Sequence, residues 1–164
     1  MTALANRSVQ RVIEALVAAG AEGRVVELAA TARSAQDAAI ALAVPVGAIV
    51  KSLVFAIGGQ PVLALVAGDR RCAVEGLRAA LALEGRVERA SADLVREATG
   101  FAIGGVPPLA HEARLPTAID ASLGRFPVIW AAAGHPHCVF PTKLDELTRL
   151  TGGIVSETLG TATD

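Results

Sequence analysis

The stretch Ile49-Val50-Lys51-Ser52-Leu53-Val54-Phe55-Ala56-Ile57-Gly58-Gly59-Gln60-Pro61-Val62-Leu63-Ala64-Leu65-Val66-Ala67 reads as two strands, 49–57 and 61–67. Gly58-Gly59-Gln60 supplies a hairpin-type connection between them. One charged residue interrupts the apolar character of the first strand: Lys51. Alternate strand residues share a face, so Lys51 points the same way as Ile49, Leu53 and Phe55. If that face is the core face, desolvating the amine costs several kcal/mol unless an anionic or polar group meets it. A point-charge donor so placed suits a phosphate or a developing oxyanion. The other reading is an edge-strand lysine that blocks strand addition and keeps its amine in water. Both readings stand at this point.

Before this pair, Val9, Val12, Ile13, Leu16 and Val17 recur at helical spacing, with Arg11 and Glu14 on the opposite side and Gly20 as a stop. Residues 25–28 form a short strand. Ser34-Ala35-Gln36-Asp37 opens a second helix, with an acidic residue three after the capping serine, and Pro45 ends it. Amphipathic helices are predicted over 73–83 and 91–98, the latter capped by Ser91. Residues 99–118 read as loop, 127–132 and 137–140 as strands. The last helix is expected to begin at Thr142 and to stop at Gly152-Gly153. The pattern predicts one α/β domain over 1–164, a mixed, mainly antiparallel β-sheet surrounded by helices.

The composition bounds the function. Of 164 residues, 52% are hydrophobic and 19% charged, which excludes a disordered chain. A formal net charge of −1 argues against a protein that coats nucleic acid nonspecifically, since such binders carry an excess of Lys and Arg. It leaves room for a protein that grips one end of a nucleic acid with local cations, for which Lys51, Arg33, Arg70, Arg71 and Arg78 are candidates. Four Phe, one Trp and no Tyr supply few stacking platforms for free single strands. No apolar run reaches a membrane-spanning length, and the N-terminus lacks a secretory design, so a cytoplasmic protein is expected. Cys72 and Cys138 lack CxxC spacing and suggest no disulfide.

A second feature carries chemistry: Gly104-Gly105-Val106-Pro107-Pro108. The glycines allow positive φ or close approach of a ligand to backbone, and the prolines remove two N–H groups and stiffen the turn. The amides of Gly104, Gly105 and Val106 are left to line a concavity, an arrangement able to stabilise a carbonyl oxygen. A purely structural loop is the alternative. His135-Pro136-His137-Cys138 invites a metal reading. His135 and His137 are expected on one strand face with Cys138 opposite, and no acidic residue is nearby in sequence, so no metal is assigned. No cofactor motif or serine-nucleophile signature is present.

Taken together, these residues resemble the YbaK/ProX family of aminoacyl-tRNA deacylases, relatives of the editing domain of bacterial prolyl-tRNA synthetases. The resemblance rests on Thr31-Ala32-Arg33-Ser34, the strand 49–55 with Lys51 and Ser52, and Gly68-Asp69-Arg70-Arg71. It continues through Thr99 to Pro108, then Asp120, Gly134 and Leu150-Thr151-Gly152-Gly153, in the family's order over roughly residues 8–158. One departure is Ala110-His111, where the pattern has Gly-His. The resemblance implies hydrolysis of the ester joining a wrong amino acid to a tRNA 3′ terminus, without a protein nucleophile or cofactor. It implies catalytic roles for Lys51, Gly104, Gly105, Val106 and Pro108. It implies substrate binding by Thr31, Arg33, Ser34, Ser52, Arg70, Arg71, His111, Asp120, Gly134 and His135. The implied partners are the aminoacylated tRNA acceptor end and an aminoacyl-tRNA synthetase. Two other classes remain: a noncatalytic tRNA- or synthetase-binding adaptor, and a metal-dependent hydrolase using His111, His135 and His137.

Overall fold

In a computed structural model, residues 2–30 and 32–163 are described. Helix α1 (Arg7–Ala18), strand β1 (Val26–Glu27) and helix α2 (Ala35–Leu42) precede the hairpin of β2 (Val50–Ile57) and β3 (Gln60–Ala67). Then come β4 (Arg70–Cys72), α3 (Val74–Leu81), β5 (Val87–Arg89) and α4 (Ala92–Thr99). Residues 100–116 lead to β6 (Thr117–Asp120), followed by β7 (Ile129–His135), β8 (Cys138–Thr142), α5 (Leu144–Thr151), β9 (Ile154–Ser156) and β10 (Gly160–Ala162).

Capping chemistry explains several boundaries. Ser34 accepts from the Asp37 amide at 3.0 Å and Ser91 from the Leu94 amide at 3.1 Å, each satisfying an orphan donor of a first turn. Asn6 does the same for α1 through the Ser8 amide. The expected start at Thr142 is displaced: Lys143 is the N-cap and has no side-chain cap bond. Thr142 instead remains in β8 and donates from Oγ1 to Oε1 of buried Glu146 at 2.6 Å.

The five-stranded sheet runs β5-β2-β3-β6-β9, with β3–β6 and β6–β9 parallel and the other pairs antiparallel. A three-stranded sheet, β1-β8-β7, packs beside it, and β10 pairs with β4. Central β3 is buried on both faces, as its unbroken apolar run requires. Leu63, Leu65 and Ala67 join Val50 and Val54 in the main core, which also takes in α1 through Val9, Val12 and Leu16. Val62, Ala64 and Val66 join Phe55, Ile57 and Leu77 in a second cluster beneath α3. This is a single α/β domain of mixed, mostly antiparallel sheets with helices around them. Among the described residues, no helix is long and apolar enough to cross a membrane.

The predicted loop over 99–118 ends one strand early, because 117–120 is β6, buried along its length. Strands β4, β5, β9 and β10 also escape sequence reading. Each is three residues long and too short to display an alternation.

Gly76 lets α3 lie directly on the chain at Thr158–Leu159, where an added Cβ would collide with the Thr158 carbonyl oxygen. Gly76→Ala is therefore expected to cost about 1–3 kcal/mol by overpacking. A urea titration reads this as a lower midpoint at unchanged m. An unchanged midpoint would contradict the contact.

Candidate active site

The hairpin strand β2 is paired unequally on its two sides. Along β3 it is paired from Val50 to Ile57, but β5 covers only Phe55 to Ile57. Beyond that, the Ala90 amide donates to the Val54 carbonyl at 3.1 Å, and Ser91 then caps α4 and carries the chain away. Towards its start the strand is met only by a parallel bridge from Ile49 to Trp130. The backbone between is an open edge. Val54 and Gly58 both use their backbone groups on the β5 side, so Ser52, at the same parity, turns its N–H and C=O to this edge. The buried Ser52 Oγ has no hydrogen-bond partner among the described residues. A strand edge and a hydroxyl left unsatisfied in this way mark a place where a ligand or water completes the bonding.

A cavity of about 400 Å3 occupies that edge. Residues 50–54 form one wall, and Arg33, Ser34, Ala35 and Ala38 at the start of α2 form another. Ile103, Gly104 and Val106 close it from the loop, and Trp130, Ala132, His135, Cys138 and Val139 from β7 and β8. Arg89 stands at its margin.

Lys51 and Ser52 leave the strand on opposite faces. Lys51 is half-buried on the Leu53–Phe55 face, and its Nζ donates to the Arg70 carbonyl. It is thus neither sealed in the core nor free in water. Burial holds its pKa below the ordinary lysine value, opposed chiefly by the nearby Asp69 carboxylate. Asp69 is itself engaged by Arg125 in a two-pronged pair at 2.9 and 2.7 Å.

The glycine–proline loop is pinned at several points. Thr99 Oγ1 donates to the Val95 carbonyl at 2.7 Å and accepts from the Phe101 amide at 3.0 Å. Arg11 reaches over from α1 and donates to the carbonyls of Gly100 at 3.3 Å and Ala110 at 3.1 Å, tying the two ends of the loop together. Its guanidinium lies 4.5 Å from the Phe101 ring centroid, a cation–π contact. His111 Nε2 donates to the Pro107 carbonyl at 2.7 Å, and burial, with Arg11 adding to it, lowers the imidazole pKa. Gly104 adopts φ +103°, a conformation that favours glycine. Ala110 sits at φ +71°, which a glycine would adopt freely and an alanine adopts at a cost of about 1–2 kcal/mol.

Of the three loop amides read from the sequence, that of Gly105 donates to the Ala102 carbonyl at 3.3 Å. Gly104 and Val106 line the cavity, and among the described residues neither amide has a protein acceptor. Gly105 is required for another reason than approach to a ligand. An added Cβ would lie 2.7 Å from the His135 amide nitrogen, against the backbone of β7.

Arg33, Ser34, Lys51, Ser52, Gly104, Val106 and His135 therefore converge on the cavity. Gly105 and Pro108 are buried behind the lining. Arg70 and Arg71 lie on the other face of β2, in a second groove with Lys51. His111 braces the loop. Asp120 is buried and accepts from the amides of Ala67 at 3.1 Å and Ser122 at 2.9 Å. Gly134, at φ +94°, lies against α1, where a Cβ would meet the Ser8 carbonyl oxygen at 2.8 Å. Thr31 lies outside the described residues. Sequence reading missed Arg89, Ile103 and Trp130 as lining and Arg11 as the loop clamp. Arg11 is read as a solvent-facing helix residue because its acceptors are 89 and 99 positions away.

His135 and His137 do not share a strand face as expected. His135 ends β7, Cys138 begins β8, and Pro136-His137 turns between them. The His137 amide donates to His135 Nδ1 at 3.0 Å. Among the described residues, no group of three His, Cys, Asp or Glu could hold a metal. Among the described residues of the lining, nucleophile–base pairs are equally lacking. Ser34 Oγ is a helix cap, Ser52 Oγ has no partner, and burial pushes the Cys138 thiol up to about 11.

The sequence over residues 29–150 matches the aminoacyl-tRNA editing domain. The chain belongs to this family, in its YbaK-like branch. A crystal structure of a candidate trans-editing enzyme for prolyl-tRNA synthetase superimposes with TM-score 0.87 at 40% identity, covering 96% of this chain and 99% of that one. A structure from work on computational grafting of linear epitopes onto scaffold proteins gives TM-score 0.86 at 35% identity over 96% and 99%. A protein described only as hypothetical gives TM-score 0.81 at 27% identity over 90% and 99%.

The packing of the loop on β7 is testable directly. The Gly134 amide donates to the Gly105 carbonyl at 2.9 Å, so Gly105→Ala is expected to speed hydrogen exchange at Gly134 by an order of magnitude or more. Gly59→Ala, in the hairpin turn where a Cβ meets nothing within 4 Å, leaves that exchange unchanged. Equal exchange in both variants would remove this account of Gly105.

Proposed function

We propose that this chain is a trans-acting aminoacyl-tRNA deacylase that cleaves the ester between a wrongly attached small amino acid and the 3′-terminal ribose of tRNA. The observation that carries the reading is the open edge of β2. It gives a cavity walled by backbone groups and adjoined by a cation, with no nucleophile–base pair in its lining. As the ester carbonyl gains charge, its oxygen is met by the amides of Gly104 and Val106, which the pinned loop holds in place beforehand. Lys51, which adjoins both the cavity and the groove on the other face of β2, offers its charge to the phosphate or ribose of the terminal adenosine. A water oxygen attacks the ester carbonyl carbon and becomes part of the carboxyl group of the released amino acid. The bond from that carbon to the ribose oxygen breaks. The ribose oxygen leaves with the proton the water gives up, directly or through a neighbouring hydroxyl of the substrate. Arg33, Ser34, Ser52 and His135 bind the aminoacyl-adenosine end, while Gly105, Pro108, His111, Asp120 and Gly134 keep the frame.

Apolar walls of Ala38, Ala132, Val139 and Trp130 favour a small side chain such as that of Ala, Ser, Thr or Cys. Such a pocket separates neighbouring sizes by only about 1–3 kcal/mol, so several amino acids are accepted. The relative described as a candidate trans-editing enzyme for prolyl-tRNA synthetase supports a proline tRNA as carrier and that synthetase as partner.

The test is a panel of purified tRNAs charged with Ala, Ser, Thr, Cys and Pro, each followed for amino-acid release. Release of one or more small residues, with proline retained, is expected. Lys51→Ala should lower kcat/KM by at least about tenfold, equivalent to about 1.4 kcal/mol, with the fold intact by circular dichroism. Gly105→Ala should do comparable damage. If none of the five esters is cleaved, the deacylase reading falls and a binding adaptor replaces it.

The pH dependence follows from the lysine. Its folded pKa lies below the ordinary 10.5, so the cation is lost earlier as pH rises. After subtraction of spontaneous alkaline hydrolysis, kcat/KM should fall along an alkaline limb placed below 10.5. Lys51→Arg, which stays charged, should lack that limb; an unchanged limb would assign it to another group.

A further inference from the structure

The face of β2 opposite Ser52 carries a second groove, of about 480 Å3, in which Lys51, Arg70, Arg71 and Arg89 gather, with no carboxylate among the described residues of its lining. Among the described residues, the four ion pairs of the molecule include none of these cations. The acidic groups nearest in effect to Lys51, Asp69 and Asp120, are both engaged: Asp69 by Arg125, Asp120 by two backbone amides. In a chain of net charge −1, four cations gathered outside those ion pairs are a local feature rather than part of a general basic surface, and they suit an anion.

Its parts are held in place. Arg70 and Arg71 sit on β4, which β10 pairs residue for residue: Ala162 with Arg70, Thr161 with Arg71. The Arg89 guanidinium lies 5.3 Å from the centroid of Phe55, leaving a planar cation ready to receive a phosphate or a base. The groove shares Lys51, Leu53 and Arg89 with the ester cavity, so the two are continuous around the open edge of β2. A strand whose terminal ester occupies the first space must run past that edge.

We propose that this groove binds the phosphates of the unpaired nucleotides that precede the terminal adenosine of tRNA, with Arg71 as a principal contact. The proposal rests on the deacylase reading for its ligand and deepens it. The enzyme then recognises a single-stranded 3′ end and not merely an amino-acid ester. An aminoacyl-adenosine, lacking those phosphates, is a poorer substrate than aminoacyl-tRNA through KM rather than kcat.

The experiment compares the whole chain with Arg71→Ala, Arg71→Glu and Arg71→Lys. Arg71 is exposed, and only its backbone is used in pairing with β10, so these variants test the side chain. The first measurement is the ratio of kcat/KM on alanyl-tRNA to that on 3′-O-alanyl-adenosine. It should fall at least about fivefold in Arg71→Ala, further in Arg71→Glu, and recover in Arg71→Lys. The salt slope of log KM should weaken by about 0.7 for each phosphate that the variant no longer neutralises. The second measurement is binding of uncharged tRNA against the same tRNA trimmed of its unpaired 3′ nucleotides. Wild type should prefer the intact form, and Arg71→Glu should abolish the preference. A ratio and a preference both unmoved by charge reversal would overturn the groove. Wild type that prefers the intact end yet hydrolyses neither substrate would overturn the deacylase reading and keep the groove. Equal competition of binding by inorganic phosphate at low millimolar concentration would mark the site as one for a free anion instead, and overturn the proposal.

Discussion

The unequal pairing of β2 is the constraint on which the functional architecture depends. Backbone N–H and C=O groups removed from water are costly unless paired, so a central strand with one open side is an unfinished piece of sheet. Here the far side is locked along its length by β3, and the open side is bounded by the Trp130 bridge and by the Ala90–Val54 bond. The edge is therefore rigid and incompletely bonded at once. That combination lets a protein stabilise charge without reorganising, because the donors are already oriented when charge develops. The cause is local: Ser91 starts a helix two residues after β5 ends, so β5 cannot extend far enough to close the edge.

A second consequence of strand geometry is that one strand serves two compartments. Lys51 and Ser52 are neighbours in sequence, yet pleating sends their side chains to opposite faces. Ser52 turns its backbone to the cavity at the open edge, and Lys51 faces the basic groove. The loop at 100–111 completes the enclosed side. Its rigidity comes less from its prolines than from Arg11, Thr99, His111 and the backbone of β7, each reaching it from a different element. Lys51 is likewise set by its neighbourhood, through the Arg70 carbonyl and partial burial.

The hairpin, the amphipathic helices and the caps at Ser34 and Ser91 were legible because each depends on residues within one or two turns of one another. The same holds for the positive-φ glycine at 104. Lys51 stood out because an amine in an apolar strand is costly wherever it ends up. The family pattern was readable on the same residues, and the match over 29–150 agrees with it.

The order of residues along the chain was enough to set the local elements and the chemical types available to a site: amides, one strand lysine and several arginines. Which of them meet was decided in three dimensions. The three-residue strands acquire their pairing from partners far along the chain, as β4 does from β10, and no local periodicity encodes that. Arg11 became a clamp because α1 packs on β7, beside which the loop docks, and only the fold brings the Ala67 amide to the Asp120 carboxylate. Even the use of Gly105 was inverted, from an approach to ligand into an approach to His135. Contacts between residues a hundred positions apart are set by packing many elements at once, and a sequence read in windows carries no record of that sum.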